Sequence, residues 1–478
     1  MKKQKTDSPL YLQVARKLED QIQQGAFRTG DQVPSVRELS RQRRVSIATV
    51  LQAYFWLESK GWIESRPKSG FYVRTPERSL NPVPVFRPAR ARPTPVSTSD
   101  IVADLMQAHR RPVKVSLGTA VPAHDRLPTH QLNAIIRRLS RQDPNLSISH
   151  EHAPGDPALR QLIARRSVMA GCNFLPQDVT ITCGAMEALN LCLRVIGKPG
   201  DVIATESPTY FNVLQAIESL GMNAIEIPTD CRTGMDLDVL ESVLKNHRVR
   251  GYIGITNCHN PLGYVLPDDK KRALVELLAR HNVPLIEDDI CGDLAYSAQR
   301  PRLAKSFDRE GLVMVCGSFS KTVSPGLRLG WVHSERFHSK ISRLKMITSI
   351  ASPRLSEAAV AMFLESGGYD RHVRRVRLLF EQQVSTFSQA VSKYFPAGTC
   401  VSRPSGGYVL WIELPKRVDS IALYHAALNE DISISPGPVF SASGKFRNYI
   451  RLNCGIPWSD EVDRAILKIG RLCEAQSR

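Results

Sequence analysis

The first 171 residues of this 478-residue chain contain no cysteine. The ten cysteines that follow are scattered from Cys172 to Cys473 without a CxxC pair, which leaves neither a disulfide framework nor a cysteine zinc site to read. They are expected as reduced thiols, mostly buried. No apolar run approaches the ~18 residues that a membrane span needs, and Lys2, Lys3 and Lys5 are followed by no hydrophobic segment, so no secretory signal is read. A cytoplasmic protein without a membrane partner is expected. No internal repeat is present. Acid is the scarcer charge: 46 Asp and Glu stand against 64 Lys and Arg, a net +18, and residues 1–111 alone carry 20 basic and 10 acidic side chains. That concentration points to an anionic partner for the N-terminal part. With 42% hydrophobic residues over this length, two or three globular domains are expected.

In the N-terminal part, Tyr11, Val14, Leu18 and Ile22 recur at helical spacing up to Gly25. Ser35 and Glu38 have the spacing of a capping box, which predicts a short helix over Val36–Arg43, and Ser46 caps a third helix carrying Val50, Tyr54 and Leu57 on one face. The β-prone runs 62–65 and 71–73, joined through Pro67-Lys68-Ser69-Gly70, predict a hairpin. Three helices and a two-stranded ribbon make a winged helix-turn-helix. Residues 76–112 follow as a proline- and arginine-rich linker, extended by its proline content.

From about Val113 the pattern alternates between buried strands and helices, as a mostly parallel sheet with helices on both faces requires. Polar motifs stand where those strands end, the place where such sheets bind ligands. The segment Ser318-Phe319-Ser320-Lys321, with Arg328 seven residues after the lysine, pairs an imine-forming amine with groups able to hold a phosphate. Glu287-Asp288-Asp289 closes an apolar strand with carboxylates, one of which could pair with a protonated pyridine nitrogen. Asn260 stands at another strand end, and Thr182-Cys183-Gly184-Ala185-Met186 makes a strand-to-helix turn whose free N–H groups suit a phosphate. Tyr210 offers a ring for stacking, and Arg451 a guanidinium for a carboxylate. His150 and His152 lack a third ligand, and no metal site is expected.

Two resemblances organise these motifs. Residues 8–74, through Val33-Pro34-Ser35-Val36-Arg37-Glu38-Leu39, Val45-Ser46-Ile47-Ala48-Thr49-Val50, Leu57–Ile63 and Ser69–Val73, resemble the GntR family of DNA-binding domains. The resemblance implies that the third helix enters the major groove of double-stranded DNA, with Arg37, Ser46, Thr49, Lys68 and Gly70 as contacts. Residues 113–478 resemble the fold type I, aspartate-aminotransferase-like enzymes that use pyridoxal 5′-phosphate (PLP). That resemblance implies Lys321 as the lysine forming the internal aldimine, Asp288 on the pyridine nitrogen, Asn260 at the 3′-oxygen and Tyr210 stacked on the ring. It further implies Gly184, Ala185, Met186, Ser318 and Arg328 on the phosphate, and Arg451 on an amino-acid carboxylate.

Together the parts resemble the MocR-type subfamily of GntR regulators, with a DNA-binding domain over 1–75, a linker over 76–112 and a PLP-binding, dimerising effector domain over 113–478. The expectation is a homodimeric transcription regulator that senses PLP, or an amino acid as external aldimine. An active aminotransferase with an appended DNA-binding domain, and a vestigial fold serving only dimerisation, are the alternatives. Three positions depart from the families. Ile47 stands where the DNA-binding family often has Arg or Lys, which suits a thymine methyl rather than guanine. Cys291 replaces a tyrosine three residues after the pyridine aspartate, and His150 stands where many relatives reach the neighbouring subunit's phosphate with a tyrosine.

Overall fold

A computed structural model describes the chain except residues 1–8, 24–25, 28–29, 60, 67–68, 74–80, 86–90, 109–112, 151 and 478. It divides into two compact units, one of residues 1–80 with 385–393 and one of the remainder.

In the first unit, α1 (Leu10–Gln23), α2 (Val36–Arg43) and α3 (Ile47–Ser59) precede a hairpin of β1 (Ile63–Arg66) and β2 (Gly70–Val73). Ser35 caps α2 as its spacing to Glu38 requires, its hydroxyl accepting the Glu38 N–H at 3.2 Å. α2 ends where Arg44 turns into the left-handed region, which reverses the chain into α3. Val14, Leu18, Leu39, Val50, Tyr54, Leu57 and Ile63 form one buried cluster, so the helical spacing in the sequence is the spacing of the core face. The Tyr54 hydroxyl, buried at its centre, donates to the Pro34 carbonyl and ties the entry of α2 to α3.

In the second unit an eight-stranded sheet has the order Val179–Thr182, Gly330–His333, Val313–Ser318, Leu285–Asp288, Val249–Gly254, Val202–Ser207, Asn223–Asp230 and Gly234–Met235. The five strands from Val313–Ser318 to Asn223–Asp230 pair in parallel, while Gly330–His333 and Gly234–Met235 run antiparallel to their neighbours, making the sheet mixed. Strands such as Leu285–Asp288 are buried throughout, as the apolar runs of a helix-covered sheet must be. The helix Ala185–Ile196 packs Leu189, Cys192 and Leu193 in one cluster with Ile203, Ile253 and Met314 of the sheet. A smaller antiparallel sheet contains Tyr449–Asn453, with Arg451 opposite Trp411 and Ser435.

The region read as a linker contains more structure than its prolines suggest. Thr94 and Ala224 exchange two backbone hydrogen bonds at the sheet edge, the Ser97 N–H donates to the Ala442 carbonyl, and the Val401 N–H donates to the Pro82 carbonyl. A helix, α4 (Ser99–Ala108), follows, with Val102 and Leu105 buried. Extended proline-rich chain has unspent N–H and C=O groups, and here an exposed sheet edge accepts them. All ten cysteines are free thiols, seven of them buried. No helix among the described residues is long and apolar enough to cross a membrane.

Candidate active site and nucleic-acid interface

The register of the mixed sheet brings the motifs to one edge. Cys316 pairs with Asp288, Ser318 with Gly330, and Gly330 with Thr182, so the strand ends carrying the Gly184 turn, Asp288 and Lys321 align there. A cavity of about 330 Å³ opens there, lined by Tyr210, Asn260, Asp288, Lys321 and Arg451 among others. Five of the nominated residues thus meet in one space.

The three consecutive acids separate by strand alternation. Glu287 is buried and accepts the N–H groups of Ala304 (2.7 Å) and Lys305 (3.0 Å) and the Thr256 hydroxyl (2.5 Å). Asp289 is paired with Arg300 and accepts from the Asn257 amide at 3.2 Å. Only Asp288 lines the cavity, and it forms no ion pair among the described residues. It accepts the Ile290 N–H at 3.1 Å. Burial pushes its pKa up to about 7, against the opposing pull of that N–H.

Lys321 Nζ donates to the Ala120 carbonyl at 2.7 Å, and burial lowers its pKa from the ordinary lysine value. Tyr210 accepts from the Asn212 amide at 2.7 Å, its hydroxyl pushed up to about 12 by burial. Arg451 is 1% exposed. It donates to the Gly118 carbonyl, to Asn260 Oδ1 at 3.2 Å and to Ser435 Oγ at 3.2 Å, while its Nε has no partner. All three acceptors are uncharged, and burial without a counter-ion lowers its pKa to about 10.

Gly184, Ala185, Met186, Ser318 and Arg328 are not part of that lining; the first three make the turn from Val179–Thr182 into the following helix, Arg328 donates to the Cys183 carbonyl at 3.4 Å, and Ser318 ends the strand Val313–Ser318. Gly184 precedes the helix Ala185–Ile196 without offering it a side-chain cap, which leaves the first-turn N–H groups without an acceptor from that residue. A Cβ on Gly184 would stand 2.7 Å from Arg328 Nη2, and one on Gly330 would stand 2.6 Å from the Gly184 carbonyl carbon and 2.8 Å from the Ala185 nitrogen. Ser318 Oγ is 3.0 Å from Ser320 Oγ. Gly330→Ala should therefore displace the turn and weaken cofactor retention by tenfold or more without unfolding the protein, which titration of the cofactor's visible absorption checks.

The departures take definite places. Cys291 lines the cavity, and burial pushes its thiol up to about 12, so it stands there as a neutral, weak donor. His150 is exposed, stacked edge-on with His152 and away from the cavity.

Several contributors carried no sequence signal. The segment 118–121 supplies the carbonyl that both Lys321 and the Tyr408 hydroxyl bond (3.1 Å for the latter). Glu206, fully buried, accepts from Tyr264 OH and the Ile255 N–H, both at 2.8 Å, and stands 3.2 Å from His259 Nε2. It thereby ties together the strand ends that carry Tyr210 and Asn260. Arg300 joins Asp289 to Asp293. Burial alone would raise the Asp293 pKa, but Arg300 and Arg166 outweigh it and hold the group well below the usual carboxylate range. Tyr369 bonds both Asp293 (2.5 Å) and Thr322 (3.2 Å), bracing the residue after Lys321. Motif spacing cannot show such partners, which are distant in sequence.

In the first unit, Arg37, Ser46, Ile47 and Gly70 are exposed. Ser46 caps α3, its Oγ accepting the Thr49 N–H at 3.1 Å and lying 2.8 Å from Thr49 Oγ1, so both hydroxyls already serve the helix start. Ile47, half exposed, is the apolar side chain at that end of α3. Gly70 opens β2 at φ +109, where Gln32 Nε2 bonds the Ser69 carbonyl at 2.7 Å. Lys68 lies outside the described residues.

The comparisons with known proteins agree with this anatomy. Residues 10–73 match the model of the bacterial regulatory proteins of the gntR family, and residues 112–469 match aminotransferase class I and II, a PLP-dependent family. The HTH-type transcriptional regulator YjiR of Escherichia coli (strain K12) is 37% identical over 96% of this chain and 98% of its own. Aromatic-amino-acid aminotransferase 1 of Thermococcus litoralis is 27% identical over 76% of this chain and 89% of its own. The solved structure of the α-aminoadipate aminotransferase LysN from Thermus thermophilus, complexed with N-(5′-phosphopyridoxyl)-L-leucine, superposes with a TM-score of 0.73 at 26% identity, over 78% of this chain and 94% of that one. With a GntR DNA-binding domain ahead of a fold type I aminotransferase domain, and regulators of the same build along nearly its whole length, the chain belongs to the MocR-type GntR transcriptional regulators.

Proposed function

We propose that the protein regulates transcription as a homodimer whose aminotransferase-like domain holds PLP on Lys321 and senses an amino acid through Arg451. The observation that carries the reading is Arg451: a buried guanidinium with no acid beside it, in the same cavity as an amine and an unpaired carboxyl. A buried charge without a partner is costly, and a ligand carboxylate relieves that cost.

PLP supplies an aldehyde to which amines add and a pyridine ring that draws electrons. The residues fit it. Burial shifts Lys321 toward the neutral, nucleophilic amine. Asp288, which lines the cavity, would hold a proton on a ring nitrogen, and that positive charge would return the carboxyl to its ionised form. The uncapped helix start and Arg328 would take the phosphate, and Tyr210 and Asn260 the ring and its oxygen. Occupancy would alter DNA binding to the extent that the ligand favours one of two arrangements of the protein.

The DNA-binding half is tested at Arg37. Arg37→Ala should weaken operator binding by about 1–3 kcal/mol if the side chain meets a base, measured by mobility shift on DNA selected from a random pool, with cofactor loading unchanged. Loss of loading would refute the independence of the two sites. A second reading, an active aminotransferase, is favoured by the intact Lys321 and Asp288 and the similarity to aminotransferases. Release of a keto acid at a steady rate from any of the common amino acids would establish it.

A further inference from the structure

The cavity holds apolar surface that neither the cofactor nor the carboxylate site explains. Met106 of α4 and Val121 both line it, and they are 39% and 36% exposed, at its open side. Among the described residues of the lining, the only cations are Lys321 and Arg451. With Lys321 given to the cofactor and Arg451 to one carboxylate, no described cation remains for a second carboxylate. The remaining acid, Asp288, belongs to the ring nitrogen and offers nothing to a distal ammonium group.

Resting on the proposed amino-acid reading, we infer that the effector is a monocarboxylic amino acid with an apolar side chain, and that Met106 and Val121 select it by packing against that side chain. Methionine suits the task, since its unbranched thioether adapts to several apolar shapes. Met106 also stands on the first helix that follows the DNA-binding unit along the chain. Leu105 is fully buried, and Ser99 at the other end of α4 bonds Gln215 (Oγ to Oε1, 3.2 Å) and Glu218. The helix that carries those two begins at Phe211 and Asn212, which line the cavity themselves. A side chain in the cavity therefore meets α4 directly at one end and through a rigid helix at the other.

The test uses the full-length, cofactor-loaded protein and reads the visible spectrum and the mobility shift on selected DNA. L-leucine, L-methionine and L-phenylalanine are expected to change both, and L-glutamate, L-aspartate and L-lysine to require at least tenfold higher concentration. Met106→Ala and Val121→Ala, at partly exposed positions, should keep the unliganded spectrum yet raise the concentration of apolar amino acid needed by about tenfold. Met106→Arg should shift the preference toward L-glutamate by supplying a cation beside Val121. If L-glutamate acts on the wild type as well as L-leucine does, or if both alanine variants respond as the wild type, the inference falls while the amino-acid reading stands. If no amino acid changes the wild-type spectrum, both fall.

Discussion

Replacing Lys321 by alanine should abolish the visible absorption band of bound PLP, and the purified variant should lose the cofactor on gel filtration while its far-ultraviolet circular dichroism stays that of the wild type. Lys321 is the one amine lining the cavity among the described residues, and its neighbours hold the cofactor only by non-covalent contacts. The fold does not depend on it, because its ammonium makes a single hydrogen bond, to the Ala120 carbonyl. Removing the buried amine takes away one of two donors to that carbonyl, and because Tyr408 still donates to the oxygen the cost stays below the about 1–3 kcal/mol of an unsatisfied group. A variant that kept the band would place the attachment elsewhere.

Arg451→Leu should leave the cofactor band in place and weaken amino-acid binding by more than about 100-fold, the scale of about 3–5 kcal/mol that follows when one partner of a buried ion pair is removed. Arg451→Lys should fall between, since an ammonium keeps the charge but loses the fork that meets both carboxylate oxygens. Titration of the visible spectrum with the responding amino acid measures both. Equal affinity in the leucine variant would mean that the carboxylate is held by some other group.

Much of the fold was legible because its signals are local. The Ser35 and Glu38 spacing, the face of Val50, Tyr54 and Leu57, and the apolar run before Asp288 each state an element within one turn or one strand. The nominated site was legible for a related reason: Asp288 ends a strand and Tyr210, Asn260 and Lys321 follow within a few residues of one, so strand order brings these four to one edge. Motif chemistry by itself left open which acid of the triplet enters the cavity, and only the family resemblance singled out Asp288; the burial of the other two depends on Arg300 and the Ala304 N–H, which lie outside the motif. Nor did the sequence show Met106 or Ala120, which follow no motif and are placed by how α4 and the segment after it lie on the sheet. The proline-rich stretch misled for the converse reason. Proline marks extended chain without stating whether a sheet edge lies alongside, as Ala224 does beside Thr94.

The acid triplet also limits how this gene can change length. Removing one residue from the buried strand ahead of Glu287 would turn its side chains to the opposite faces. Asp289 would then take the place of Asp288, Asp288 that of Glu287, and Glu287 would be driven into the apolar cluster that holds Ile286, while Arg300 lost the carboxylate of Asp289. Point substitutions can be absorbed one at a time, but a single-codon deletion here would shift all three acids out of their buried contacts at once. Length variation should therefore be tolerated in surface loops such as the one around Arg309 and excluded from residues 283–289.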